Sequence, residues 1–281
     1  HRTKQKRTMA KKSSRKKSTK NGTKKKSRRT KAGNTSRRGQ LTKANFGYSL
    51  PLDQPLYQPP PVEYRDSTIL TYTYETDADA AAAVLPAQLS LTETPTAKLV
   101  FANYQWSSVG FYNEVVQAIE CTYEGKKYVY PVRLHVTSDR AMASGREIGG
   151  FPKKMGHIEF NSGAEYSSHL ESPKGMRVCS GMMVPKACLA VLPEEPKAPL
   201  NYISLRIMPN PDDPKNPSLC ELLESEWELG PGEMWSGIGS FHFDCESELD
   251  PYHKIPVVGD VNCAIYRGSM VASSIKLLER F

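Results

Sequence analysis

The sequence predicts an α+β, β-rich fold, antiparallel and either closed or sandwich-like. Three observations predict it. From about residue 64 onward, short stretches alternate apolar and polar residues with a period of two, the pattern of half-buried strands. Turn-forming residues separate most of these stretches. Only two stretches carry clear helix signals, so strands dominate the element count. The 281 residues have room for one large domain or two small ones.

The elements follow in chain order. Residues 1–45 form a basic tail. The first 40 residues hold 18 Lys and Arg and no acid, with almost nothing apolar to bury, so disorder is expected. Residues 46–62 are a Pro-rich connector, expected to be extended. Residues 63–281 make up the folded domain. "STILTYTYET" reads as a strand with Leu70, Tyr72 and Tyr74 on one face. "TDADAAAAVLP" reads as a short helix, capped by Asp77 and stopped by Pro86. "KLVFANYQW" is a further strand. "VVQAIECTYEGKKYVYPVRLHV" reads as a β-hairpin turning at Glu124-Gly125. "TSDRAMASGREIGG" is helix-like, with Ser138 or Asp139 as its cap and glycines at its end. "HIEF", "MRVCSGMMV", "NYISLRIMP", "GIGSFHFDC" and "VNCAIYRGSMV" are strand candidates, and "LCELLESEWEL" fits helix or strand.

The net charge of +8 averages two unlike parts. Beyond residue 40 there are 20 basic residues against 30 acidic ones, so a basic tail is joined to an acidic body. "KKKSRR" in the tail offers nonspecific attraction to nucleic-acid phosphates, or a nuclear address. No aromatic residue is interleaved with the charge, so base stacking is not offered. No apolar run reaches the ~18 residues of a membrane span. The six cysteines are scattered without a CxxC pair, and the six histidines form no HxxxH or HxH pattern. No metal site is expected, and the cysteines read as free thiols of a cytoplasmic protein. No phosphate-binding glycine motif is present.

The stretch "GREIGGFPKKMG" sets two lysines after a proline in otherwise apolar, glycine-rich surroundings. From the tripeptide Pro-Lys-Lys alone, a solvated surface turn is the default reading. A lysine attacks a carbonyl only as the neutral amine, and at pKa ~10.4 roughly one molecule in 2,500 is neutral at pH 7. Desolvation and a second cation both disfavour the ammonium. A neutral amine forms a Schiff base, whose protonated iminium accepts the electrons released when a β-keto acid loses CO2. That chemistry calls for no metal or organic cofactor. Pro152 fixes its own φ and biases Phe151 toward an extended conformation, so the pair leaves the helix at a defined angle.

"GREIGGFPKKMG" resembles the signature of the acetoacetate decarboxylase family. "YETDADAAAAVLP", "GFYNEVVQAI", "LNYISLRIMPNPDDPKNPSLCELLESE", "MWSGIGSF" and "DPYHKIPV" resemble further family segments in the same order. The resemblance spans roughly residues 60–275 and leaves out the basic tail. It implies a closed antiparallel β-barrel-like core with flanking helices, assembled as a homo-oligomer. It implies Lys153 as the Schiff-base nucleophile and Glu114 as the carboxylate facing it. Lys154 would be the neighbouring cation that helps keep the nucleophile neutral, an activation that comes here with the family and not from spacing. Arg65 is the match to an arginine lining the site, with Phe151, Arg146 and Glu147 beside the substrate. A structural ion pair is the simpler role for Arg146 and Glu147.

The family's second site glutamate falls near "VFANYQW", where this chain has Ala102 and Asn103. A missing carboxylate changes which substrates fit and how protons move. The expected function is cofactor-independent decarboxylation of acetoacetate or a larger β-keto acid. The alternatives are aldolase, dehydratase or cyclase chemistry on a larger carbonyl with the same lysine, or a non-catalytic nuclear or nucleic-acid-associated protein using its tail.

Overall fold

A computed structural model describes residues 37–192 and 200–281. The chain divides into the units His1–Gln40 and Leu41–Phe281, and all the regular structure below belongs to the second. The disordered tail expected over 1–45 falls, for residues 1–36, outside the described residues. The connector expected over 46–62 forms no helix or strand before Val62. It is nevertheless tied down: the Ser49 hydroxyl donates to the Tyr57 carbonyl at 3.1 Å, and the Tyr57 hydroxyl donates to the Glu147 carboxylate.

The strands are β1 (Val62–Thr76), β2 (Ser90–Leu91), β3 (Thr96–Ser107), β4 (Tyr112–Tyr123), β5 (Lys126–Val136), β6 (Lys153–Met155), β7 (His157–Ser162), β8 (Tyr166–Glu171), β9 (Arg177–Leu192), β10 (Leu200–Met208), β11 (Leu219–Phe243) and β12 (Val257–Arg280). The helices are α1 (Ala78–Ala82) and α2 (Asp139–Glu147). Asp77 caps α1 by accepting from the Ala80 amide at 2.8 Å. Ser138, not Asp139, is the N-cap of α2 and accepts from the Ala141 amide. Glu124 and Gly125 both take positive φ, as a two-residue hairpin turn between β4 and β5 requires.

Two stretches read separately in the sequence are one strand. "LCELLESEWEL" and "GIGSFHFDC" both lie in β11, which runs through Gly230-Pro231-Gly232 by shifting register between Leu229 and Gly232. Its first half pairs with β10 and its second half with β9, while β12 runs alongside both. Seven strands thereby close into a barrel-like ring, in the order β10-β5-β4-β3-β1-β12-β11 and back to β10. The expected antiparallel pairing holds around the ring except at one seam, where β10 meets β5 in parallel at Tyr202 and Val129. β9, β8 and β7 extend from β11 as an arm.

The period of two sorts side chains onto the faces of the β1-β3-β4 wall. Leu70, Tyr72, Tyr74, Leu99, Phe101, Val115 and Ile119 face outward and pack with Ile158, Leu170, Val178, Met183 and Phe241 from the arm and β11. The intervening residues Ala102, Tyr104, Val116 and Ala118 face into the ring with Leu134, Phe151 and Met270. The same strands therefore wall a packed core on one side and a site on the other.

Candidate active site

β6 is only three residues long and pairs in parallel with β5, Lys153 beside Leu134 and Lys154 beside His135. Paired residues share a face, so Lys153 turns into the ring with Leu134, and Lys154 turns away with His135. The turn into β6 is rigid. Gly150, at φ +65°, packs against the Arg206 backbone, where a Cβ would lie 2.7 Å from the Arg206 nitrogen. The Lys153 amide then donates to the Phe151 carbonyl at 2.8 Å, closing a three-residue turn around Pro152. On the other side of the peptide, Arg146 Nη1 donates to the Lys153 carbonyl at 3.1 Å.

The Lys153 side chain lies along α2 at Gly145, where a Cβ would come within 2.5 Å of both Cδ and Cε. Only glycine leaves that shelf open. The ammonium end is 6% exposed as a residue and sits 2.9 Å from Glu114 Oε2. The Tyr112 ring centroid is 5.6 Å away and that of Phe151 6.0 Å. Glu114 is equally buried, and its other oxygen accepts from the Tyr104 hydroxyl at 3.4 Å. The Tyr64 and Tyr112 hydroxyls lie 3.2 Å apart beside it. Burial, followed by nearby charge from Glu114, pushes the Tyr64 and Tyr104 hydroxyls well above the usual phenol range. Burial does the same to Tyr112, with the neighbouring Tyr64 and then Glu114 adding to it. Tyr202 is pushed up to about 12 by burial and by Glu114. These four phenols therefore stay protonated around the carboxylate and are available as donors.

Lys153, Glu114 and Phe151 line a cavity of about 270 Å³ inside the ring. Most of its remaining wall is apolar, including Ile69, Val100, Val116, Leu134, Trp227 and Met270. Among the described residues, no group of three or more His, Cys, Asp and Glu side chains is placed to hold a metal ion. No helix among them is long and apolar enough to cross a membrane.

Four of the residues anticipated from the sequence sit elsewhere than expected. Lys154, anticipated as the cation beside the nucleophile, is half-exposed on the opposite face of β6 and bonds to the Leu249 carbonyl and the Asp250 carboxylate. Strand alternation alone separates it from Lys153. Arg65, anticipated in the site, is exposed, pairs with Glu63 at 3.1 Å and stacks over Trp106. The chain takes a positive φ at Asp66, and the β1–β12 register shifts between Tyr64 and Ser67. That irregularity brings Tyr64 into the ring and leaves Arg65 outside. Arg146 and Glu147 do not line the cavity and are not paired with each other; the first braces the Lys153 carbonyl and the second receives the Tyr57 hydroxyl.

Ala102 stands directly across the β3–β4 ladder from Glu114 and faces the same interior. The position expected to lack a carboxylate is therefore a methyl group beside the Lys153–Glu114 pair. Asn103 faces the other way and donates to Asn113 at 2.6 Å. Sequence reasoning missed the tyrosines at 64, 104 and 112, Gly145 and Trp227. Tyr104 and Tyr112 had a signal, since both lie an even number of residues from Ala102 or Glu114 on their strands.

Behind Lys154, His135 is buried with Nδ1 3.0 Å from the Tyr252 hydroxyl and Nε2 3.1 Å from Asp250. Burial lowers the His135 pKa to about 4, and the charge of Lys154 adds to this against the pull of Asp250. Burial acts upward on the Asp250 carboxyl, but hydrogen bonds from Lys154 and Ser172 and the nearby cations outweigh it, so its pKa is lowered. This cluster holds Lys154 outward.

Comparison with known proteins agrees with the fold. The acetoacetate decarboxylase family model matches residues 49–280. Decarboxylase DEC1 of Cochliobolus heterostrophus is 30% identical over 242 residues, 83% of this chain and 94% of that one. Acetoacetate decarboxylase of Clostridium acetobutylicum is 30% identical over 213 residues, 74% of this chain and 85% of that one. The crystal structure of acetoacetate decarboxylase from Legionella pneumophila superposes with a TM-score of 0.73 at 20% identity, over 88% of this chain and 99% of that one. The enduracididine biosynthesis enzyme MppR superposes with a TM-score of 0.68 at 20% identity, over 86% and 97% of the two chains. With a family match over most of its length and full-length relatives at this identity, the chain belongs to the acetoacetate decarboxylase family.

Proposed function

We propose that this protein decarboxylates a β-keto acid through a Schiff base on Lys153. The observation that carries the reading is the buried Lys153–Glu114 pair, 2.9 Å apart, at one end of a largely apolar cavity. Glu114 takes the proton that Lys153 must lose before attack. The free amine adds to the keto carbon, and loss of water from the carbinolamine leaves a protonated imine. The C–C bond to the carboxylate then breaks, its electron pair moves into the imine as an enamine, and CO2 departs. Protonation of the enamine carbon and hydrolysis of the new imine release the ketone and restore the amine. The neutral hydroxyls of Tyr64, Tyr104 and Tyr112 supply hydrogen bonds at this end of the cavity, where Ala102 adds no second negative charge to repel the substrate carboxylate. The names of the decarboxylase relatives support the reaction class.

A second reading keeps the lysine and replaces decarboxylation by aldol, dehydration or cyclisation chemistry. The uncharged Ala102 favours it, because the missing acid changes the proton inventory of the site. Incubation with a panel of 3-oxo acids separates the two. Release of CO2 and ketone in equal amounts, with inactivation by borohydride only when keto acid is present, is the expected result. Turnover of the carbonyl substrate without CO2 would establish the second reading instead.

A further inference from the structure

We infer that the substrate carries a long apolar chain, laid inside the ring from Lys153 toward Lys98. The inference rests on the decarboxylase reading and adds the substrate class. Along the β3–β4 ladder, Ala102 opposes Glu114, Val100 opposes Val116 and Lys98 opposes Ala118. All but Ala102 and Ala118 line the one cavity, so it runs along the strands away from the reacting pair. Four residues of strand from Ala102 to Lys98 span about 13 Å at ~3.3 Å per residue.

Acetoacetate is far shorter. With bonds of ~1.5 Å, each carbon of an extended chain advances about 1.25 Å, so its four carbons cover roughly 4 Å. The remaining ~9 Å takes a saturated tail of roughly seven carbons at the same advance per carbon. Between the two ends the wall is mostly hydrocarbon, with Ile69, Val100, Val116, Leu134 and Pro131 on it and Thr71 paired to Val100. The channel ends where Lys98 pairs with Glu120 at 2.8 Å, both partly in contact with solvent. An ion pair at that depth rewards no further methylene and marks the length limit. A short substrate would leave this channel wet or empty, which neither an apolar wall nor a decarboxylation site calls for.

Two titrations test the inference and separate it from the decarboxylase reading. Straight-chain saturated fatty acids from butanoate to dodecanoate cannot form a Schiff base, and they probe the channel alone. Trp227 is buried at its Nε1 without a hydrogen-bond partner among the described residues, so its emission reports occupancy; Trp227→Phe is the control for Trp106 and Trp235. The expected Kd falls roughly fourfold per added methylene, following the free energy of burying a CH2, up to about ten carbons. Beyond that length it levels off. Val100→Phe moves the break to shorter chains. A Kd that ignores chain length, or a break that ignores Val100→Phe, overturns the inference. In parallel, kcat/KM for 3-oxo acids rises with the same slope. If 3-oxo acids of four and ten carbons are decarboxylated equally well, the decarboxylase reading stands and the chain inference falls. If fatty acids bind with the expected slope but no 3-oxo acid loses CO2, the channel stands and the decarboxylase reading falls.

Discussion

The two faces of the β1-β3-β4 wall come from the same strands and have opposite properties. The outward face is packed shut: Leu70, Tyr72, Leu99, Phe101 and Leu170 are fully buried against one another. The inward face leaves a cavity, and it carries a buried lysine, a buried glutamate and several buried phenols. Neighbours in sequence therefore serve different ends. Leu99 belongs to the core that holds the fold, and Val100 lines the site. Lys153 enters the ring, and Lys154 is held outside by Asp250. A single step along a strand separates stability from chemistry.

Breaking the inward face at its centre gives the largest effect. Lys153→Ala removes the proposed nucleophile, and the expected fall in decarboxylation is on the order of 10⁴-fold or more in a steady-state CO2 assay. It also leaves Glu114 buried without its cation, which costs about 3–5 kcal/mol in urea unfolding. The double variant Lys153→Met with Glu114→Gln regains most of that stability and no activity. Recovery of activity in either variant would sever the inward face from catalysis.

Leu99→Ala and Val100→Ala test the contrast between the faces directly. Leu99 is 0% exposed, and its truncation costs about 2–5 kcal/mol in denaturant unfolding while leaving kcat per folded molecule near wild type. Val100 already borders empty space, so the same change there costs about 1 kcal/mol or less, and it alters KM instead. Equal destabilisation at both positions would contradict the division of labour.

Gly145→Ala acts between the two regions. Its added methyl meets the Lys153 methylenes and pushes the amine from Glu114. A displacement of this size lowers kcat roughly 10- to 100-fold with little change in secondary structure by circular dichroism.

The most gradual effect is on pH dependence, and it belongs to the outward side. His135 has its pKa lowered to about 4 by burial, against ~6.5 in an unfolded chain. Below pH ~6.5 the unfolded state takes up a proton that the folded state refuses, so stability is lost as pH falls from about 6.5 to about 4, by roughly 3 kcal/mol at most. Asp250, with its lowered pKa, contributes stability above the unfolded carboxyl pKa of ~3.9, and loses it as pH falls below that. Unfolding midpoints measured from pH 7 to pH 4 follow the His135 slope, and His135→Gln flattens it.

Much of this contrast was legible in the sequence. Alternation marked Leu70, Tyr72 and Tyr74 as one face, and the helix caps and the Glu124-Gly125 turn follow from local chemistry alone. The family resemblance singled out Lys153 and Glu114, which the fold brings to 2.9 Å from strands 39 residues apart in sequence. What escaped depends on pairings that no local pattern encodes. β11 reads as two strands because Gly-Pro-Gly looks like a terminus, yet a register shift carries the ladder through it. Ring closure rests on contacts of β10 with β5 and β11, distant in sequence. Arg65 was misplaced because one positive φ at Asp66 changes which side chains face inward. Lys154 was misplaced because a Lys-Lys pair reads as one cluster until it is known to lie in a strand.

The central claim is that of two adjacent lysines only the inward one reacts. Borohydride reduction with a 3-oxo acid, followed by peptide mass spectrometry, tests it directly. The account predicts one reduced adduct, on Lys153, with Lys154 unmodified and no adduct in Lys153→Ala. An adduct on Lys154, or trapping that persists in Lys153→Ala, would contradict it.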